Sequence, residues 1–145
     1  MSVGRICTRE VHLAFSQEFV TEAAERMAAK NVGCLVVLSE SKRPIGIITD
    51  RDITLKVTAK KLDGHTIRIS EVMTLHPRVI LETTPIEEAL SSMRKGAFRR
   101  LPVVDEQGYL VGLLSLDDVM NLLLEEFADV RELLKTQAAP LRHLS

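Results

Sequence analysis

The chain has 145 residues, 46% of them hydrophobic and 27% charged, with a formal net charge of −1. That composition fits one small globular domain, or two halves sharing a core, and carries no signature of disorder. Near-neutral charge, a single tyrosine and no tryptophan supply neither the basic surface nor the stacking platforms of a nucleic-acid partner, and no apolar run reaches membrane-spanning length.

In chain order, Met1–Glu10 lacks the apolar centre of a signal peptide. Val11–Phe15 reads as a short strand and Phe19–Lys30 as a helix. Cys34–Leu38 and Ile45–Ile48 read as a hairpin across Ser39–Pro44, and Asp50–Lys60 as a second helix. Leu62-Asp63-Gly64-His65 is a connector. Arg78–Leu81 is again a strand. At the next helix Thr84 caps, Pro85 takes the first turn and Glu87 completes a capping box. Ile86, Ala89, Leu90 and Met93 then recur at helical spacing, and Gly96 stops the helix. Arg100–Val104 is a strand, Asp105–Gly108 a turn, Tyr109–Leu114 a strand, and Ser115 opens the last helix. There Leu116, Met120, Leu123, Phe127, Val130 and Leu134 alternate spacings of four and three, a coiled-coil-like seam that Leu124 and Leu133 widen. Its distal part is expected to pack on another subunit, and Gln137–Ser145, with Pro140, reads as a frayed tail.

The chain repeats itself. Gly46-Ile47-Ile48-Thr49-Asp50-Arg51-Asp52 returns as Gly112-Leu113-Leu114-Ser115-Leu116-Asp117-Asp118, a shift of 66 positions that holds upstream without a gap. At that shift Thr8 meets Thr74, Glu22 meets Glu88, Ala23 meets Ala89, Met27 meets Met93, Leu35 meets Leu101 and Val37 meets Val103. Two copies of one strand-helix-strand-strand-helix unit follow, each too small to be comfortable alone. A pocket at their junction should therefore occur twice. Cys7 and Cys34 have no ligand-like spacing and read as free thiols of a reducing cytosol. His12, His65, His76 and His143 form no short-spaced pair, so no metal site is expected.

This order and these motifs resemble a tandem pair of CBS (cystathionine-β-synthase) domains, a Bateman module, from about Ile6 to Phe127. GIITDRD and GLLSLDD match the family signature, RRLPVVDEQGYLVG its central hairpin, and VMTLHPRVILETTPIEEAL the start of a second copy. The resemblance implies an α/β (α+β) fold: two β-α-β-β-α repeats about a pseudo-twofold axis, with an extended C-terminal helix. It divides the chain into a first repeat with connector at 1–66, a second at 67–128 and a helical extension with tail at 129–145. It further implies a regulatory module that binds AMP, ADP, ATP or S-adenosylmethionine in clefts between the repeats and signals to an effector protein. With no catalytic domain attached, a stand-alone cytoplasmic homodimer without enzymatic activity or metal is expected.

Thr49 and Asp52, like Ser115 and Asp118, stand three apart at a strand-to-helix junction. A hydroxyl followed by an acid at that distance is a capping box. It is also a ribose clamp, since a carboxylate accepts from both hydroxyls of a diol. The free N–H groups of a helix start suit phosphate. By the resemblance, Asp52 and Asp118 hold ribose and the backbone at Cys34, Leu35 and Leu101 meets the adenine edge. Val36, Val37, Val103 and Ile47 form its apolar lining, and Arg99 and Arg100 meet phosphate. Gly33 and Cys34 are the counterparts of that arginine pair, and Arg51 is the counterpart of Asp117, so the two clefts should differ. The rival reading is a ligand-free adaptor dimer. A hydrolase or kinase would need a phosphate loop or a nucleophile elbow, and neither motif occurs.

Overall fold

The computed structural model describes residues 1–75, 78–96 and 99–144, with side chains as far as 136 in the last helix. His76 and the His143 side chain therefore lie outside the described set, as does Ser145. The first repeat contains β1 (Leu13–Phe15), α1 (Val20–Lys30), β2 (Cys34–Leu38), β3 (Pro44–Thr49) and α2 (Asp50–Ile53), which continues as a π-helical turn over Thr54–Thr58. After α3 (Ile69–Val72) and β4 (Thr74–Leu75) come β5 (Ile80–Leu81), α4 (Ile86–Gly96), β6 (Arg100–Val104), β7 (Leu110–Ser115) and α5 (Leu116–Leu144).

The repeat holds down to strand register. β1 runs parallel to β2, β2 antiparallel to β3, and Cys34 faces Thr49. In the other sheet β5 runs parallel to β6, β6 antiparallel to β7, and Arg100 faces Ser115. Both hairpins slip register at the equivalent place, between Val37 and Leu38 and between Val103 and Val104. Alternation along the strands then fixes two faces. Leu35 and Val37 enter a core with Val20, Ala23 and Met27 of α1, while Leu101 and Val103 enter a second with Ile86, Ala89 and Met93 of α4. Val36 and Pro102, on the opposite faces, are also buried.

The repeats exchange their leading segments. Ile69 and Val72, at the head of the second repeat, complete the first core, and β4 adds to the first sheet beside β3. Reciprocally, Val3 and Cys7 complete the second core, and Thr8 trades backbone hydrogen bonds of 2.9 Å each way with Leu113 on β7. The crossings are close. A Cβ on Gly112 would lie 2.7 Å from Cys7 Sγ and 2.9 Å from Thr8 O; one on Gly46 would lie 2.8 Å from Thr74 O and 2.9 Å from Met73 Sδ.

Several boundaries depart from expectation for local reasons. β1 starts at Leu13, although Val36 N–H still reaches His12 O at 3.0 Å. The equivalent donor in the second repeat would be Pro102, which has no N–H, so β5 shrinks to two residues. The α4 helix begins at Ile86 rather than being capped by Thr84, because Pro85 is held in a bridge with Ser2 and Ile86 N–H bonds Met1 O at 3.1 Å. The second helix is not one α-helix over Asp50–Lys60: it widens at Thr54 and closes with Ala59 N–H on Thr54 O at 2.8 Å. The expected tail at Gln137 continues α5 to Leu144, as Gln137, Ala138 and Ala139 favour a helix.

Among the described residues, only the first repeat carries a buttress under its leading strand, β1. The Arg26 guanidinium grips the Glu18 carboxylate through both nitrogens, at 3.0 and 2.7 Å, and Arg26 also donates to Leu13 O at 2.9 Å. Their counterparts are Ser92 and Thr84. The arginine holds the Glu18 carboxyl below the usual carboxylate range. The pair's contribution is therefore full at neutral pH and fades as acid protonates Glu18. Glu18→Gln is expected to lower the melting temperature by about 2–4 °C at pH 7, for a half-exposed pair worth about 1 kcal/mol. Melts of both proteins should converge once acid has protonated Glu18 in the folded chain, below the usual carboxylate range; an equal gap there would refute the role.

Candidate functional site

Each β-hairpin delivers its last residue as the cap of the following helix. Thr49 Oγ1 accepts from Asp52 N–H at 3.1 Å while Asp52 Oδ2 accepts from Thr49 N–H at 3.0 Å. Ser115 and Asp118 do the same at 3.1 and 2.9 Å. Both junctions are thus capping boxes, and each box occupies one carboxylate oxygen. The other oxygen decides what the site can hold.

The two Oδ1 atoms meet different partners. Asp52 Oδ1 lies 3.1 Å from Lys56 Nζ, and that ammonium also donates to Val72 O at 2.9 Å. The counterpart of Lys56 is Leu122, which packs against its own core. Asp118 Oδ1 instead accepts only the Thr8 hydroxyl, at 3.2 Å, among the described residues. A neutral hydroxyl is exchanged for a ligand hydroxyl more cheaply than an ammonium is.

The helix starts offer less to an anion than the sequence suggested. At α2 the first three amides are taken: Asp50 N–H by Gly33 O, Arg51 N–H by Asp50 Oδ1, and Asp52 N–H by the cap. At α5, Leu116 N–H bonds Arg99 O at 2.8 Å, leaving Asp117 N–H without a partner among the described residues.

Thr8 also lines a cavity of about 230 Å³ between the repeats, with His12, Gly33, Cys34, Arg100 and Leu113 around it. A second cavity of about 130 Å³ lies among Arg99, Arg100, Ser115, Leu116 and Asp117. Arg100 walls both cavities, and Asp118, which lines neither, meets the first through the Thr8 hydroxyl. Burial pushes the Cys34 thiol up, with Arg100 opposing, and the Cys7 thiol moves the same way; both cysteines are unpaired. Thiols so shifted stay protonated at neutral pH and are poor nucleophiles.

The structure therefore places Cys34 on the first cavity, Arg99 and Ser115 on the second and Arg100 on both, with Asp118 joined to the first through Thr8. Thr49, Arg51 and Asp52 lie at the other junction. The counterparts of the chamber around that junction include positions 76, 77 and 98, outside the described residues. Leu35 and Leu101 are wholly buried, so only their backbone could meet a ligand. Val36 lines the chamber, whereas Val37 and Val103 point into the two cores. Ile47 is buried opposite Val36. Sequence reasoning missed Thr8, His12 and Gly33. For Thr8 a signal existed in its identity with Thr74 across the repeat.

Comparison with known proteins gives a family model described as CBS domain, matching residues 3–58 and again 69–125. An uncharacterized protein of Methanopyrus kandleri is 30% identical over 122 residues, 84% of this chain; the chain spans 62% of that relative. Among solved structures, the CBS domain protein PAE2072 from Pyrobaculum aerophilum, complexed with AMP, superposes with a TM-score of 0.72 at 28% identity, covering 81% of this chain and 89% of that one. The CBS domain pair of protein MJ0100, in complex with 5′-methylthioadenosine and S-adenosyl-L-methionine, gives 0.74 at 27% identity, covering 87% and 98%.

Proposed function

The chain belongs to the CBS domain family, and from that premise we propose that it is a regulatory module with no chemistry of its own. It binds an adenosine-type ligand at the Asp118 cleft and reports occupancy to an effector protein in the cytoplasm. The observation that carries this reading is the Asp118 oxygen held, among the described residues, only by Thr8, beside a chamber that shares Arg100 with a polar recess. In this assignment the chamber takes the base, with the backbone at Cys34 along its edge. Asp118 takes the ribose hydroxyls, and Arg99, Arg100 and Ser115 face the phosphate. The guanidinium pair favours AMP, ADP or ATP over S-adenosylmethionine. Repeats at 1–66 and 67–128 make the cleft, and the extension at 129–145 serves assembly as a homodimer. Ligand shifts the module only through a difference in affinity between two arrangements of the repeats or of the dimer.

The first cleft, with Thr49, Arg51 and Asp52, is read as structural, because the Lys56 ammonium occupies its carboxylate. Thermal melting with AMP, ADP, ATP and S-adenosylmethionine tests the reading. A ligand at 100 times its dissociation constant adds about 2.7 kcal/mol, a rise of roughly 5–10 °C for a chain of this size. Flat curves with all four would overturn nucleotide binding and leave the adaptor.

A further inference from the structure

The apolar face of α5 is a feature the cleft does not use. Val119 and Leu122 anchor the start of the helix in the second core. About a quarter turn round the helix from that anchor, Met120, Leu123, Phe127, Val130 and Leu134 are exposed, Phe127 to 71%. Leu116, Leu124 and Leu133 extend the same surface. So much uncovered apolar area on one helix marks an interface. We propose that α5 pairs with α5 of a second chain as a parallel, in-register two-stranded coil. This rests on the homodimer reading and adds its surface and orientation.

The heptad places Met120, Phe127 and Leu134 at position a, with Leu116, Leu123 and Val130 at d. Positions b, c and f then hold Asn121, Glu125, Asp129, Glu132 and Lys135, and an outward Lys135–Glu132 pair at 3.6 Å lies among them. Of the apolar residues at these positions, Ala128 is small and Leu122 is spent on the chain's own core. Glu126 falls at g and Arg131 at the e position five residues on. Parallel helices bring g of one chain against that e of the other, so the pairing gains two opposite-charge contacts by symmetry. Antiparallel helices set g against g, where Glu126 meets Val119, Leu133 or itself. Six acidic residues against two basic ones over Leu116–Thr136 argue against an anionic membrane as the occupant.

Sedimentation and cross-linking of the full chain test the proposal. Wild type should sediment as a dimer at micromolar concentration. Phe127→Glu should weaken it at least a hundredfold while far-ultraviolet circular dichroism retains the folded body. Arg131→Glu should weaken it about tenfold, and the double swap with Glu126→Arg should restore it, a recovery that mere unfolding cannot mimic. Met120→Cys should form a disulfide-linked dimer on mild oxidation. A dimer that Met120→Cys fails to cross-link overturns the parallel pairing and leaves the dimer standing. A dimer indifferent to Phe127→Glu and to the charge swap overturns the seam. A monomeric wild type overturns both, whether or not it binds lipid vesicles.

Discussion

Replacing Asp118 by asparagine is expected to weaken binding of the adenosine-type ligand about a hundredfold, with calorimetry as the readout. The carboxylate has one oxygen in the cap and one that, among the described residues, faces only a hydroxyl. A ribose diol would convert that oxygen into a charge-assisted acceptor, worth about 1.5–3 kcal/mol for each bond made. Asparagine keeps an acceptor for the Ser115 amide, so the loss reads on charge rather than on the helix start. The same exchange at Asp52 should change affinity less than about threefold, because Lys56 already holds that side chain. Wild type should thus bind one ligand per chain. Lys56→Leu, which gives the first repeat the residue type found at Leu122, should open a second, weaker event. An Asp118→Asn protein that binds like wild type would end the assignment of the ribose position.

Gly112→Ala is expected to cost about 2–3 kcal/mol, lowering the melting temperature by roughly 5–10 °C. The added methyl has nowhere to go: Cys7 Sγ and Thr8 O stand 2.7 and 2.9 Å from it, and both belong to a segment pinned by the Thr8–Leu113 hydrogen bonds. Gly46→Ala should cost a similar amount against Thr74 O and Met73 Sδ. Circular dichroism melts of the two single variants check this; unchanged midpoints would show that the crossings give way easily.

Much of the scaffold could be read because local chemistry and repeat agreed. β2 coincides with its apolar run and β6 starts one residue ahead of its own, at Arg100, and both strand-to-helix junctions announce themselves by hydroxyl and acid three apart. What could not be read depends on partners distant in sequence. Thr84 has every local credential of a cap, yet the pairing of Ser2 with Pro85 moves the helix start. The shortening of β5 needed knowledge of which donor its neighbour offers, and Pro102 offers none. Thr8 reaches Asp118 across 110 positions, a proximity created by the exchange of leading segments rather than by any motif. The Asp52–Lys56 spacing was in plain view as an acid and a base one helical turn apart. Its meaning came only from the contrast with Leu122, and the crowding of both helix starts came only from the amides' partners.

The swapped leading segments also govern the order in which the chain can assemble. A ribosome that has released only the first repeat holds a core still missing Ile69 and Val72, while Val3 and Cys7 wait for strands not yet made. Neither hydrophobic cluster can close on local contacts, so the search for the native state must bridge long loops, a topology that folds slowly. In return, each core is closed by a segment from the other half of the chain, so loosening the leading segment of one repeat opens the core of its neighbour.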